Sequence, residues 1–247
     1  PIEIKPGTLG PALESLPKLG FKGVNLTMPL KQEAIATVDE LDPVGKLMGA
    51  VSCIVVRRDN SLLGVNNDWI GFRDNLNATF PGWKSTTQSA LVLGAGGGGL
   101  AIVYALVQEG LKQIFITNRS QERAEQIADI FKDEHIIVRP WSDRHSLVAE
   151  SELIVNTTNQ GMAGQTPLDL SLELAKLDAI VADIIYVPLE TALICDAKSR
   201  GLRTVGGLGM LLHQSRPAWQ LWFGIDPHIT SHLRSAMERD INLDSQS

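Results

Sequence analysis

The stretch Ala90–Gly99, ALVLGAGGGG, constrains the fold more than any other part of the chain. An apolar run of strand character ends in glycines, and LAIVYALVQEG then follows with helical spacing. Gly94, Gly96 and Gly99 therefore form a G-x-G-x-x-G that closes a predicted strand and opens a predicted helix. Glycine permits the tight turn there and lets backbone N–H groups at a helix N-terminus approach a pyrophosphate. Ala95, Gly97 and Gly98 complete the loop. Without its flanks the pattern describes any glycine-rich turn; with them it points to dinucleotide binding. QIFITNR, HIIVR, ELIVNTT and AIVADII read as further strands, and SQERAEQIADIF as a second helix. Strand and helix in alternation imply a parallel sheet with right-handed crossovers.

The end of the second strand selects the nucleotide. An NAD site usually places Asp or Glu there for the ribose 2′-hydroxyl. This chain has NRSQER instead, with Asn118, Arg119, Ser120 and Arg123. Two arginines can clamp a 2′-phosphate through charge-assisted, fork-shaped hydrogen bonds, which favours NADP(H) over NAD. The competing reading is a solvated helix face on which Glu122 and Glu125 pair with the arginines.

Residues 1 to about 78 follow a different grammar. Leu9–Leu16 reads as a short helix, Lys22–Thr27 as a strand and Gln32–Leu41 as a helix. In GVNLTMPLKQ, Val24, Leu26 and Met28 look like core, whereas Asn25, Thr27 and Lys31 face the other way. AVSCIVVRRDNSLLGVNND reads as a hairpin around Asp59-Asn60, with a helix from Trp69. The polar, turn-rich segment 77–89 reads as a linker. From Met210 the chain is helical again, with a kink or break expected at Pro217. Trp219 and Trp222 read as core, and His213 as packing or capping.

Bulk properties narrow the classes. The 247 residues are 44% hydrophobic with a net charge of −6, so nothing electrostatic calls for nucleic acid or an anionic membrane surface. No run approaches the length of a membrane span, and no secretory-leader pattern is read at the start. Cys53 and Cys195 are too few for a disulfide framework or a cysteine zinc site, and a reducing cytosol is the expected home. His228 and His232 are four apart but lack an evident third ligand, so no metal is expected. The partner expected is a small molecule, and the chain a monomer or homodimer.

Hydride transfer needs a proton partner, and Lys31 and Asp68 are the candidates in the first half. Asp68 also reads as a helix N-cap before Trp69. With these residues the sequence resembles the shikimate dehydrogenase family, including quinate/shikimate dehydrogenases. NLTMPLK is similar to the family's N-V-T-x-P-x-K and GVNNDWIGF to its G-x-N-T-D-x-x-G-F. GAGGGGLA, NRSQERA, NTTNQGM, DIIYVPLET and GGLGMLLHQ are similar to later blocks in the same order.

The resemblance implies an α/β fold of two domains with the active site in the cleft between them. One is a Rossmann-type parallel-sheet NADP domain, residues 79–211; the other is a mixed α/β substrate domain, residues 1–78, completed by C-terminal helices in 212–247. It implies NADPH-dependent reduction of 3-dehydroshikimate to shikimate, on the way to the aromatic amino acids. Lys31 and Asp68 match the catalytic pair. Asn25, Thr27, Ser52, Tyr186 and Gln214 fall at substrate positions, and Thr157, Gly207 and Met210 at cofactor positions.

Three departures stand out. The family's opening serine segment, S-x-S-P-x-x-H-N, has no counterpart before Gly23, and the chain opens on Pro1 without a methionine. We expect further residues upstream. The family's G-A-V-N-T reads GAVSC, placing Ser52 at an asparagine expected to bond a substrate hydroxyl. Asn67 replaces a threonine, with a minor effect expected. Ser52 keeps quinate or an aminoshikimate-like ring open as substrates. Tetrahydrofolate dehydrogenases and glutamyl-tRNA reductases have related nucleotide domains, and a catalytically degenerate NADP-binding module is a non-enzymatic alternative.

Overall fold

The computed structural model describes residues 2–244 and forms two compact units. Among these, one gathers residues 2–68 and 214–228, the other 69–213 and 229–244. These boundaries differ from 1–78, 79–211 and 212–247. Helix Asp68–Thr79 enters the larger unit almost whole, and helix Ser231–Asp244 packs there through Ile241 and Met237 on Leu208 and Leu212.

The smaller unit is built on a four-stranded sheet. Its strands are β1 (Gly23–Asn25), β2 (Glu40–Leu41), β3 (Cys53–Val56) and β4 (Leu62–Val65), in the order β1-β3-β4-β2. β3 pairs antiparallel with β1 and β4, whereas β2 runs parallel to β4. Successive β3 side chains alternate between faces. Ile54 packs with Leu9, Leu13, Leu16, Leu30 and Ala34 of the short helices, and Cys53 and Val55 pack with Ala218 and Trp222. The hairpin turns where expected, with Asn60 left-handed and Asp59 Oδ1 accepting from Ser61.

Several local expectations give way. The helix expected over 32–41 is one turn at Leu30–Glu33 and a 3₁₀ turn at Ala34–Ala36, followed by β2. Backbone and side chain of Asp39 both bond Leu62, drawing this segment into the sheet. Met28 is 74% exposed because β1 ends at Asn25 and the strand alternation ends with it. Trp219 lies outside the core at 44% exposure, whereas Trp222 is packed and its Nε1 donates to Ile54 O at 2.9 Å. Helix Gly207–Phe223 runs unbroken through Pro217. The lost backbone hydrogen bond is offset by burial of Ala218 and packing of Trp222.

The larger unit holds a six-stranded, wholly parallel sheet. Its strands are β5 (Ser89–Leu93), β6 (Gln113–Thr117), β7 (Ile136–Arg139), β8 (Leu153–Asn156), β9 (Ile180–Asp183) and β10 (Arg203–Val205). They lie in the order β10-β9-β8-β5-β6-β7, the doubly wound arrangement of dinucleotide-binding folds. β10 was not anticipated from the sequence. Every residue of β5 and β8 is buried, which is why both read as unbroken apolar runs. The order reverses between β5 and β8, and in sheets of this kind ligands bind outside the carboxyl ends of the strands at such a point. The segment expected as a linker contains a 3₁₀ turn at Trp83–Ser85, with Trp83 2% exposed and bonded to Asn77 Oδ1 at 2.8 Å.

Candidate active site

In the smaller unit, two strand ends deliver a lysine and a carboxylate to one place. The chain leaves β1, turns at the cis Met28–Pro29 bond and starts a helix at Leu30, which puts Lys31 in its first turn. Val51 N–H donates to Lys31 O at 2.8 Å and anchors that turn. From the other side β4 ends at Val65, and Asn66 and Asn67 lead to Asp68. Lys31 Nζ lies 2.6 Å from Asp68 Oδ2, and the side chains are 21% and 9% exposed.

The surroundings fix this pair. Asn66 Nδ2 donates to Ala50 O at 3.0 Å, and Asn66 Oδ1 accepts the N–H of Asp68 at 3.1 Å. Asn66 thus braces the helix start, and Asp68 is not spent as a cap. Ser52 Oγ accepts Asn67 N–H at 2.8 Å, and Ser52 N–H donates to Val65 O. Ser52, Asn66, Asn67 and Asp68 are all buried. Among the described residues, Asp68 Oδ1 and Asn67 Nδ2 are buried without partners. A buried acceptor left open costs about 1–3 kcal/mol. A ligand hydroxyl is the natural group to satisfy it.

Ser52 is therefore tied to the backbone that carries Asp68, a role its position alone did not reveal. Asn25 and Thr27 are exposed and make no side-chain hydrogen bond among the described residues, and Gln214 is half-buried in the same unit. Cys53 is fully buried; burial, with the charge of Asp42, pushes its thiol up to about 12. It is no nucleophile at neutral pH, as a thiol-dependent reductase would require.

The larger unit holds the glycine loop and its neighbours. Gly94 is left-handed, and a side chain at Gly99 would lie 2.4 Å from Gly94 O, so both positions demand glycine. Beside Gly96 and Gly97 a side chain would meet nothing within 4 Å, which leaves open space at the start of helix Gly97–Gln108. Ala95 N–H donates to Asn118 Oδ1 at 3.2 Å, and Thr157 Oγ1 donates to Leu93 O and Gly94 O at 2.9 and 3.2 Å. The loop is thus pinned from β6 and from β8. Arg119 and Arg123 are exposed and form no ion pair among the described residues, so Glu122 and Glu125 do not neutralise them. Open glycine backbone, a helix N-terminus and two uncommitted guanidinium groups fit a dinucleotide with a 2′-phosphate. Tyr186 is 37% exposed, Gly207 is buried and Met210 half-buried in this unit.

Asn66, Asn156 and Asp183 were missed. The signal for Asp183 was available: it is the one charged residue in the apolar run AIVADII. It is 2% exposed, and burial pushes its carboxyl up to about 6 against three hydrogen bonds that favour the anion.

Fold and site together define a two-unit α/β oxidoreductase, with a dinucleotide sheet in one unit and a lysine–carboxylate pair in the other. The chain matches the family model for shikimate / quinate 5-dehydrogenase over residues 77–168. It matches the model for the shikimate dehydrogenase substrate binding domain over residues 1–54. It is 42% identical over 240 residues to shikimate dehydrogenase (NADP(+)) of Rhodospirillum rubrum, covering 96% of this chain and 85% of the relative. Among solved structures, shikimate 5-dehydrogenase of Thermus thermophilus in complex with NADP(H) and shikimate is 32% identical at a TM-score of 0.79, covering 97% and 85% of the two chains. Quinate dehydrogenase of Corynebacterium glutamicum in complex with NAD is 28% identical at a TM-score of 0.85, covering 98% and 85%. The chain belongs to the shikimate dehydrogenase family. Among the described residues no helix is long and apolar enough to cross a membrane.

Proposed function

We propose that this protein interconverts 3-dehydroshikimate and shikimate with NADP(H), its smaller unit holding the ring and its larger unit the nucleotide. One observation carries the proton chemistry: Lys31 Nζ stands 2.6 Å from a buried Asp68 whose second oxygen has no partner. When bound, NADPH supplies the hydride. Lys31 gives a proton to the ketone oxygen as it becomes a hydroxyl, and takes it back in the oxidative direction. Asp68 Oδ2 holds the ammonium in place while Oδ1 accepts the reacting hydroxyl. Asn25, Thr27, Gln214 and Tyr186 offer hydrogen bonds to the remaining hydroxyls and the carboxylate. Gly94 to Gly99 present backbone N–H groups to the pyrophosphate, beside Thr157, Gly207 and Met210; Asn118, Arg119, Ser120 and Arg123 clamp the 2′-phosphate. The cytoplasm, and a monomer or homodimer, belong to the same proposal.

Quinate is the second reading, because Ser52 Oγ already accepts Asn67 N–H where an asparagine side chain stands in the family pattern. NADPH absorbance decides, measured with shikimate and quinate against NADP and NAD. NADP reduction with shikimate alone is expected. Lys31→Ala is expected to lower kcat by about 100-fold or more. Equal use of quinate would favour the second reading. Turnover unchanged in Lys31→Ala would remove the lysine from the mechanism.

A further inference from the structure

Asp183 is a buried carboxylate that the proton chemistry above does not use. Its Oδ1 accepts Ile185 N–H at 3.0 Å, and its Oδ2 accepts from Asn156 Nδ2 at 3.1 Å and Thr191 Oγ1 at 2.8 Å. Asn156 ends β8, and Ile185 and Thr191 lie on the connection from β9 to helix Ala192–Ser199, at the carboxyl edge of the parallel sheet.

Asn156 ends β8 and shapes the turn after it. Its Oδ1 accepts from the N–H and Oγ1 of Thr158 at 3.0 and 2.8 Å, and its Nδ2 also donates to Gln160 O at 3.1 Å. Thr157, inside that turn, pins Gly94. Thr191 caps helix Ala192–Ser199, its Oγ1 accepting Ile194 N–H at 3.3 Å. Ile184 and Ile185 turn the chain toward Tyr186. Their carbonyls lie against Gly207, where a side chain would come within 2.3 and 2.5 Å, and Gly207 N–H donates to Ile185 O at 3.2 Å. Thr157 and Tyr186 therefore ride on segments gathered by one carboxylate, and Gly207 packs against the second of them.

These segments leave β8 and β9, on one side of the point where strand order reverses. The arginine cluster after β6 is on the other side, and the glycine loop after β5 is between them. A dinucleotide laid across that point has its adenosine 2′-phosphate toward β6, so its nicotinamide half extends over β8 and β9. We infer that Asp183 is a positioning residue for the nicotinamide half of the cofactor. It sets the surface that receives this half and leaves the adenosine half to the glycine loop and the arginines. The inference rests on the dinucleotide reading of this unit.

The test compares NADP⁺ with adenosine 2′,5′-bisphosphate, which lacks the nicotinamide half, by titration calorimetry. Asp183→Asn puts an amide where three donors converge. It is expected to weaken NADP⁺ about tenfold and leave the bisphosphate unchanged. Equal weakening of both ligands would reduce Asp183 to general stability, and no change in either would also overturn the inference. Should Asp183→Asn fail to fold, Thr191→Val removes one donor to Asp183 together with the cap on Ile194 N–H. A smaller loss confined to NADP⁺ is then expected, and equal losses overturn the inference. If the unaltered protein binds neither ligand, the dinucleotide reading falls and this inference falls with it.

Discussion

Ser52 Oγ and the backbone N–H of Asn67 share one buried hydrogen bond, and Asp68 is the next residue in the chain. Ser52→Ala leaves that N–H without an acceptor in a closed space. We expect a loss of about 1–3 kcal/mol, read from urea unfolding, more than the removal of one exposed oxygen would cause. Lys31 and Asp68 were legible because each sits in a motif whose types and order are unusual. Asn66 was not, because an asparagine before a helix reads as ordinary turn chemistry until its two partners, Ala50 O and Asp68 N–H, are seen. Asp183 shows the same limit. Its charge was visible in the sequence, but Asn156 and Thr191 lie 27 and 8 residues away, and no local pattern joins them.

Among the elements, helix Gly207–Phe223 shows how packing overrides local preference. Gly209 lies inside it, where alanine would ordinarily be better by up to about 1 kcal/mol. A side chain at Gly209 would come within 1.8 Å of Asn75 Oδ1, and Asn75 is buried with its Nδ2 donating to Gly206 O at 3.0 Å. Gly209→Ala is therefore expected to destabilise, by about 1–3 kcal/mol, and to lower the melting temperature. A rise would mean that Asn75 can move aside without loss. β5, β6, β8 and β9 were legible because strands buried on both faces are apolar throughout. β2 and β10 were not: they are two and three residues long, and pairing with β4 and β9 defines them more than their own composition does.

For the whole molecule, the buried Asp183 makes stability depend on pH in an unusual direction. Its carboxyl titrates near 6 when folded, against an ordinary value of 3.8. Between those values the folded chain keeps a proton that the unfolded chain has released, so stability falls as pH rises, by about 3 kcal/mol across the window. Glu152 acts oppositely: burial alone would raise it, but hydrogen bonds from Gln88 N–H, Lys176 and Ser89 N–H hold it below its ordinary 4.5. Its contribution is present above 4.5 and is lost as pH falls below that value. Denaturation at about pH 4.5 and about pH 7 should show Asp183→Asn lacking the downward slope of the unaltered protein. A shared slope would assign the titration to another group.

The chain passes between its compact units after residues 68, 213 and 228, and the second passage falls within a single helix. Neither unit is an uninterrupted stretch of sequence. A recombination event that joined one unit end to end with a foreign partner would leave behind residues 214–228, which include Ala218 and Trp222 of the smaller core, or helix Ser231–Asp244, which includes Ile241 of the larger. Neither unit can therefore be moved as one continuous stretch: a graft of the smaller one must carry residues 214–228 along with those up to 68.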